Sequence, residues 1–305
     1  MYSENSTVKE FFLVSFENIH SIRVFFFSLV LTVYFAILIG NFLIVTLVHM
    51  NGHLWTPMYI FLSHLSISEI LFTSNIIPKL LEVTLHDGGT ISLSDCITQY
   101  YMFSSSTTAE CLLLSFMSYD RYLAICNPFN YTYIMTQRLC HSMISCSWLT
   151  GFMISLPAAF FISMLRFCGP NVIDHFFCDL APILQLSCSD TSVLEIEDLV
   201  LSFPILVFPL VFIAQTYILI LFAILKIKST SGKRKSFSTC SSHLMVVCTY
   251  YGTLIIVYMI PSFQHSLNKV LALLYTVVTP LLNPVIYSLR NQEIRAAIMK
   301  FKRQF

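Results

Sequence analysis

Seven windows of this 305-residue chain can each carry an apolar span of about 20 residues, the length that crosses the hydrocarbon of a bilayer. They lie near 24–48, 57–80, 97–119, 140–164, 199–225, 237–260 and 270–289. Charged residues make up 11% of the chain against 56% hydrophobic ones, where soluble domains run at roughly 25% charged. A disordered chain, a collagen-like one, a soluble enzyme and a basic nucleic-acid binder are all excluded. The expected fold class is an all-α membrane protein, a seven-helix bundle.

No shift of composition, repeat or linker divides the sequence. One domain is expected over 1–305: a tail at 1–23, a helix bundle at 24–289 and a short amphipathic helix at 290–305. Before the first window, Phe11 to Phe16 is the only apolar run, and it is too short for a signal-peptide core, so the first span also directs insertion. The third window is the most polar, interrupted by Thr98, Gln99, Ser104 to Thr108 and Glu110. Charge decides that it spans. With seven spans and the N-terminus outside, Arg121, Arg138, Lys226, Lys228, Lys233 to Lys235, Arg290, Arg295, Lys300, Lys302 and Arg303 all fall inside. These are twelve of the 17 basic residues, opposed there only by Asp120 and Glu293. Without the third span, the basic cluster at 226–235 would lie outside. The expected location is the plasma membrane, with the N-terminus extracellular and the C-terminus cytosolic.

Four of the 10 cysteines, Cys96, Cys168, Cys178 and Cys188, fall on one oxidising face in this topology, where disulfides are expected. The other six lie in spans or at their inner ends, and no spacing suggests a transition-metal site. Asn5-Ser6-Thr7 is a glycosylation sequon in the outer tail, whereas Asn130-Tyr131-Thr132 lies on the inner side, so only Asn5 is expected to carry sugar. The connection from Leu165 to Asp198 is long for a helix bundle, and its three cysteines favour stapling. After Asn291, Ile294, Ile298, Phe301 and Phe305 recur at helical spacing among Arg295, Lys300, Lys302 and Arg303, a pattern suited to lying on anionic lipid.

Polar groups inside the spans carry the chemistry. Glu69 and Glu110 are costly in lipid and should face the bundle interior. Two readings of the pair stand, a shared cation (Na⁺) or proton site and a pair of neutral, hydrogen-bonded packing groups. Asp120-Arg121-Tyr122 ends the third span, where a permanent guanidinium held by its neighbouring carboxylate can act as a latch or simply as an interfacial anchor. Asn283-Pro284, near the inner end of the last span, bends its helix because proline lacks the donor and crowds the preceding turn.

Taken together, Gly40-Asn41, Asp120-Arg121-Tyr122, Trp148, Tyr217 and Asn283-Pro284 to Tyr287 resemble the rhodopsin-like G-protein-coupled receptors. Four longer strings narrow the resemblance to vertebrate olfactory receptors: the run Pro57 to Ser63 (PMYIFLS), Met117 to Cys126 (MSYDRYLAIC), Lys235 to Leu244 (KSFSTCSSHL) and Pro284 to Asn291 (PVIYSLRN). Small departures are Ser118 and Ser236 where the family has Ala, Trp55 where it has His and Tyr250 where it has Phe. The resemblance implies disulfides Cys96 to Cys178 and Cys168 to Cys188. It also assigns activation and G-protein coupling to Asp120, Arg121, Tyr122, Tyr217, His243, Asn283, Pro284 and Tyr287.

The same resemblance implies a non-enzymatic odorant receptor whose ligand sits in the outer half of the bundle, with a stimulatory olfactory G protein and membrane lipids as partners. Helical spacing nominates Tyr100, Phe103, Ser104, Thr107 and Thr108 on the third span and Tyr251, Leu254, Ile255 and Tyr258 on the sixth as the lining. Ser202, Leu206 and Thr276 are expected to complete the wall. No acid stands in the outer half of the third span and no Lys in the body of the seventh, so a neutral, hydrophobic, volatile ligand is expected. A transporter is disfavoured by the absence of inverted repeats, and an intramembrane hydrolase by the lack of a convincing nucleophile and base.

Overall fold

The computed structural model describes residues 8–14, 16, 21–168, 170–259 and 265–302. Asn5 lies outside them. The chain is a helix bundle with a small sheet at one end. Helix α1 (Arg23–Met50) leads through a short 3₁₀ turn to α2 (Pro57–His86), whose first residue is proline, pre-set for a helix start where no donor is needed. Asp87, at a φ of 57°, and Gly88, at 140°, then reverse the chain into β2 (Gly89–Ser92). Ser92 caps α3 (Leu93–Cys126), accepting from the Asp95 N–H at 3.0 Å and donating to its carboxylate at 2.7 Å.

A single turn, α4 (Tyr131–Ile134), precedes α5 (Gln137–Met164), which is capped by Thr136. The long connection forms β3 (Val172–Ile173), α6 (Leu180–Gln185) and α7 (Ser192–Glu197). From α7 the helix continues through a wide π turn, Asp198–Ser202, into α8 (Phe203–Lys226). Then come α9 (Thr230–Met259), α10 (His265–Leu273), a second π turn at Leu274–Val278, α11 (Thr279–Arg290) and α12 (Gln292–Lys302).

Among the described residues, five helical stretches are long and apolar enough to cross a membrane: Arg23–Met50, Pro57–His86, Gln137–Met164, Ser192–Lys226 and Lys269–Tyr287. The expected third and sixth spans are helical but do not meet that description. In α3 the reason is polarity turned inward, with Ser105, Ser106, Thr108, Glu110, Ser115, Ser118 and Asp120 all buried. In α9 the apolar part is confined to Cys240–Ile256. Large side chains such as Phe25, Phe35 and Phe42 of α1 and Phe208, Phe222 and Leu225 of α8 are exposed, as expected of helices that face lipid in a multi-pass membrane protein.

The sheet is absent from the all-α expectation. β1 (Glu10–Leu13) pairs antiparallel with β2, Phe11 opposite Ile91, and parallel with β3, Phe12 opposite Val172. Alternation puts Phe11 and Leu13 into the core and Phe12 outward, so the apolar run that is too short for a signal core is a strand instead. The sheet sits at the disulfide-bearing end, where Phe11, Val83, Ile91, Cys96, Phe167 and Ile173 share one apolar cluster. Both implied disulfides are present, Cys96 to Cys178 and Cys168 to Cys188.

Close helix approach rests on two glycines. A methyl at Gly40 of α1 would press on Pro284 of α11 at 3.0 Å. One at Gly151 of α5 would collide with the Ser105 carbonyl oxygen of α3, a backbone atom that cannot swing aside. Gly151→Ala should therefore destabilise the protein by about 1–3 kcal/mol, the range for overpacking, and lower the melting temperature in detergent. An unchanged melting temperature would mean that α3 and α5 are not tightly apposed there.

Candidate functional site

Near the disulfide end, a cavity of about 550 Å³ opens between α3, the loop over it and the α7–α8 helix. From α3 come Tyr100, Phe103, Ser104, Thr107, Thr108 and Cys111; from α8, Phe203, Ile205 and Leu206; from α9, Leu254. The wall is chiefly apolar, with hydroxyls from α3. Of the residues expected there, Tyr251, Ile255 and Thr276 are not on it. Tyr251 is 2% exposed, and its hydroxyl donates to the Cys111 carbonyl at 3.4 Å. Thr276 is fully buried and donates to the Ala272 carbonyl at 2.7 Å. On α9 only Leu254 of the nominated stripe meets the cavity, so Ile255 looks elsewhere. The side chains of Ser202 and Tyr258 fall outside the described residues.

Sequence reasoning missed the loop and the start of the fifth helical stretch. Asp179, Leu180, Ala181 and Leu184 line the cavity, as do Glu195, Asp198 and Leu199. The signal was present: a bond from Cys178 to Cys96, one turn before Tyr100, must lay the residues after Cys178 over the outer part of α3. The same anchoring is reinforced by the Cys178 N–H, which donates to Gln99 Oε1 at 2.9 Å. Gln99 and Asn75 exchange side-chain-to-backbone hydrogen bonds at 2.9 Å each, tying α3 to α2.

Beside the loop, Lys269 pairs with Asp174 at 2.5 Å. His175 is 5% exposed between the rings of Phe176 and Phe177, and its Nδ1 accepts from the Phe177 N–H at 3.4 Å. Burial, with the nearby Lys269 charge, pushes its pKa down to about 3. Burial lifts the Asp179 carboxyl to about 6 against the Leu180 N–H that it accepts at 2.8 Å, and the Asp198 charge adds to the rise.

Deeper in the bundle, Glu69 and Glu110 share a small pocket with Thr107, Tyr250, Leu254 and Thr279. The Asn283 amide donates to Glu69 Oε1. Glu69 Oε2, Glu110 Oε1, Asn41 Oδ1 and Asn283 Oδ1 are buried with no hydrogen-bond partner among the described residues. All four are acceptors.

At the other end, Arg121 donates to Asp120 Oδ2 at 2.6 and 3.0 Å, while the Tyr131 hydroxyl donates to Oδ1 at 2.8 Å, so a fully buried carboxylate is held on both oxygens. Tyr122 packs against Tyr119 and beside Tyr217. Tyr217 and His243 Nδ1 lie 2.6 Å apart. Tyr287 is 1% exposed, and its hydroxyl has no partner among the described residues. Pro284 abuts Gly40.

These features sit on a sequence whose residues 29–304 match the olfactory receptor family profile. The chain belongs to the olfactory receptor family. It is 46% identical to human olfactory receptor 11A1, covering 97% of this chain and 94% of that protein, and 46% identical to human olfactory receptor 11L1 over 98% and 94%. Mouse olfactory receptor 5P55 is 42% identical over 97% of this chain and 96% of its own length. The relatives are receptors, not enzymes.

In this olfactory receptor the loop over the cavity is a pH-sensitive part of the fold. His175 is neutral when folded but takes a proton near its ordinary 6.5 when unfolded, so protons favour unfolding and stability is lost as pH falls from about 6.5 toward 3. Asp179 acts oppositely, taking up its proton earlier in the fold than out of it, between about 6 and 3.8. His175→Asn removes only the first effect. Between pH 7.5 and 5 the variant should lose about 1–2 kcal/mol less stability than the parent, read as a smaller drop in melting temperature. Equal drops would show that His175 is not held neutral.

Proposed function

We propose that this olfactory receptor spans the membrane seven times with its N-terminus extracellular. A small, largely apolar, volatile ligand binds in the cavity beside α3, and a stimulatory olfactory-type G protein docks at the cytosolic Arg121 end to raise cAMP. The observation that carries the reading is a shared wall: Thr107 and Leu254 line both the cavity and the Glu69–Glu110 pocket, and the Tyr250 hydroxyl donates to the Thr107 carbonyl at 2.9 Å. A ligand against Leu254 therefore presses on α9, the helix that carries His243 against Tyr217. Binding shifts the receptor only as far as it favours the active arrangement. With an apolar wall and few polar groups, affinity is expected in the micromolar range, about −8 kcal/mol or weaker.

Activation separates Arg121 from Asp120, draws Tyr217 and Tyr287 inward and opens a groove bordered by the basic segment 226–235 and by α12. The α12 helix packs Ile294 and Ala297 into the bundle core with Ile298 against it, so its apolar stripe meets protein where the sequence pattern suits anionic lipid. The test is cAMP output in cells that show equal staining of an N-terminal tag without permeabilisation. Arg121→Ala should cut odorant responses by about tenfold or more, the size of a coupling energy of 1–3 kcal/mol. Undiminished responses would remove the latch, and staining only after permeabilisation would reverse the orientation.

We infer that a monovalent cation such as Na⁺, or a proton, is held between Glu69 and Glu110. Support comes from the donor set: four buried oxygen acceptors lack partners, and a bound proton or ion supplies what they need. Glu69, Glu110 and Asn283 would hold it, and its role is to offset two carboxylates in a dry interior. Raising NaCl at fixed ionic strength should raise the melting temperature of the purified receptor, and Glu110→Gln should abolish that rise. Indifference to Na⁺ together with a melting temperature flat across pH 5–9 would exclude both occupants.

A further inference from the structure

The neutral-ligand expectation rests on the third and seventh helices, whereas the cavity wall also draws on the loop and the fifth helical stretch. Asp179 from the loop and Glu195 and Asp198 from the fifth helical stretch bring three carboxyl groups to its wall, and no Lys, Arg or His stands among the described lining residues. Internal partners use only part of this capacity. Asp179 accepts the Leu180 N–H through Oδ1, and Glu195 accepts the Thr191 hydroxyl at 2.7 Å. The carboxylate of half-buried Asp198 has no hydrogen bond or ion pair among the described residues. A second observation comes from the wall itself. Thr108, 7% exposed, turns a hydroxyl with no partner among the described residues toward the cavity, so the interior retains polar capacity for a ligand.

We propose that the preferred ligands of this receptor are small hydrophobic amines, the ammonium held among Asp179, Glu195 and Asp198 and the apolar body lying against Phe103, Leu206 and Leu254. The inference rests on the receptor reading above and sharpens it to a substrate class. Three acids without a cation repel one another, and a neutral ligand would shield them from water while leaving them unpaired. An ammonium reverses that balance, since each N–H finds an acceptor and its charge offsets theirs. The rings of Tyr100 and Phe203 on the same wall add faces on which a cation is favoured. The Thr108 hydroxyl stays available to a second polar atom on the ligand. A carboxylic acid, by contrast, would add a fourth negative group.

The test compares probes that differ only in the head group, hexan-1-amine against hexan-1-ol and benzylamine against benzyl alcohol. The full chain is reconstituted in phosphatidylcholine nanodiscs at pH 7.4, and Kd is read by titration calorimetry. The amines should bind about tenfold more tightly than the alcohols, the scale of one charge-assisted pair. Asp198→Asn and Glu195→Gln should each weaken amine binding severalfold, and by more than they weaken alcohol binding, with an unchanged melting temperature showing that each variant is folded. Alcohols that bind as tightly as amines, or variants that weaken both alike, would overturn the amine inference while the receptor reading stands. A chain that binds neither class would overturn both.

Discussion

Everything in this receptor is organised around one polar helix kept out of lipid. Helix α3 carries buried serines, a threonine, a glutamate and an aspartate along its length, and such a helix is tolerable in a membrane only if neighbours cover it on all sides. The cover is provided by α2, α5, α8 and α9, and the closeness of α5 depends on the missing side chain at Gly151. Both ends of α3 are tied: the Cys178 disulfide and Gln99 fix one, and the Asp120–Arg121–Tyr131 contacts occupy the other. The cavity, the carboxylate pocket and the Asp120–Arg121 pair are successive stations on this one helix.

The helical architecture was legible because lipid makes the signal simple. An apolar run of span length has few alternatives, and the boundaries of α1 and α5 fall close to the windows read from hydrophobicity. The sheet was not legible. Four residues of alternating exposure in β1 mean nothing until β2 and β3, far along the chain, provide partners. The polarity of the third window had one meaning: that helix contributes to the interior more than to the lipid surface.

Within the site, legibility followed the same line. On α3 the helical spacing of Tyr100, Phe103, Ser104, Thr107 and Thr108 suffices, because the helix is straight and one face meets the cavity. On α9 the same rule put Tyr251 on the wall, but its hydroxyl finds a closer acceptor on α3, and a buried tyrosine follows its hydrogen bond. The π turn at Asp198–Ser202 shifts the register of the fifth stretch just where it reaches the cavity, so a uniform helical period cannot forecast which side chains face inward.

That division separates two sets of polar groups within one bundle. Glu69, Glu110, Asn283 and Asp120 are buried in the bundle, where moving any one leaves a charge or a buried acceptor unpaired. The acids of the cavity come from the stapled loop and the first turns of the fifth stretch, where partial exposure lets water compensate for a change of side chain. Charge at the cavity mouth can therefore be set without disturbing the buried polar chain beneath it. The two meet only at Thr107 and Leu254, and there the contact is one of packing and a backbone carbonyl rather than of charge.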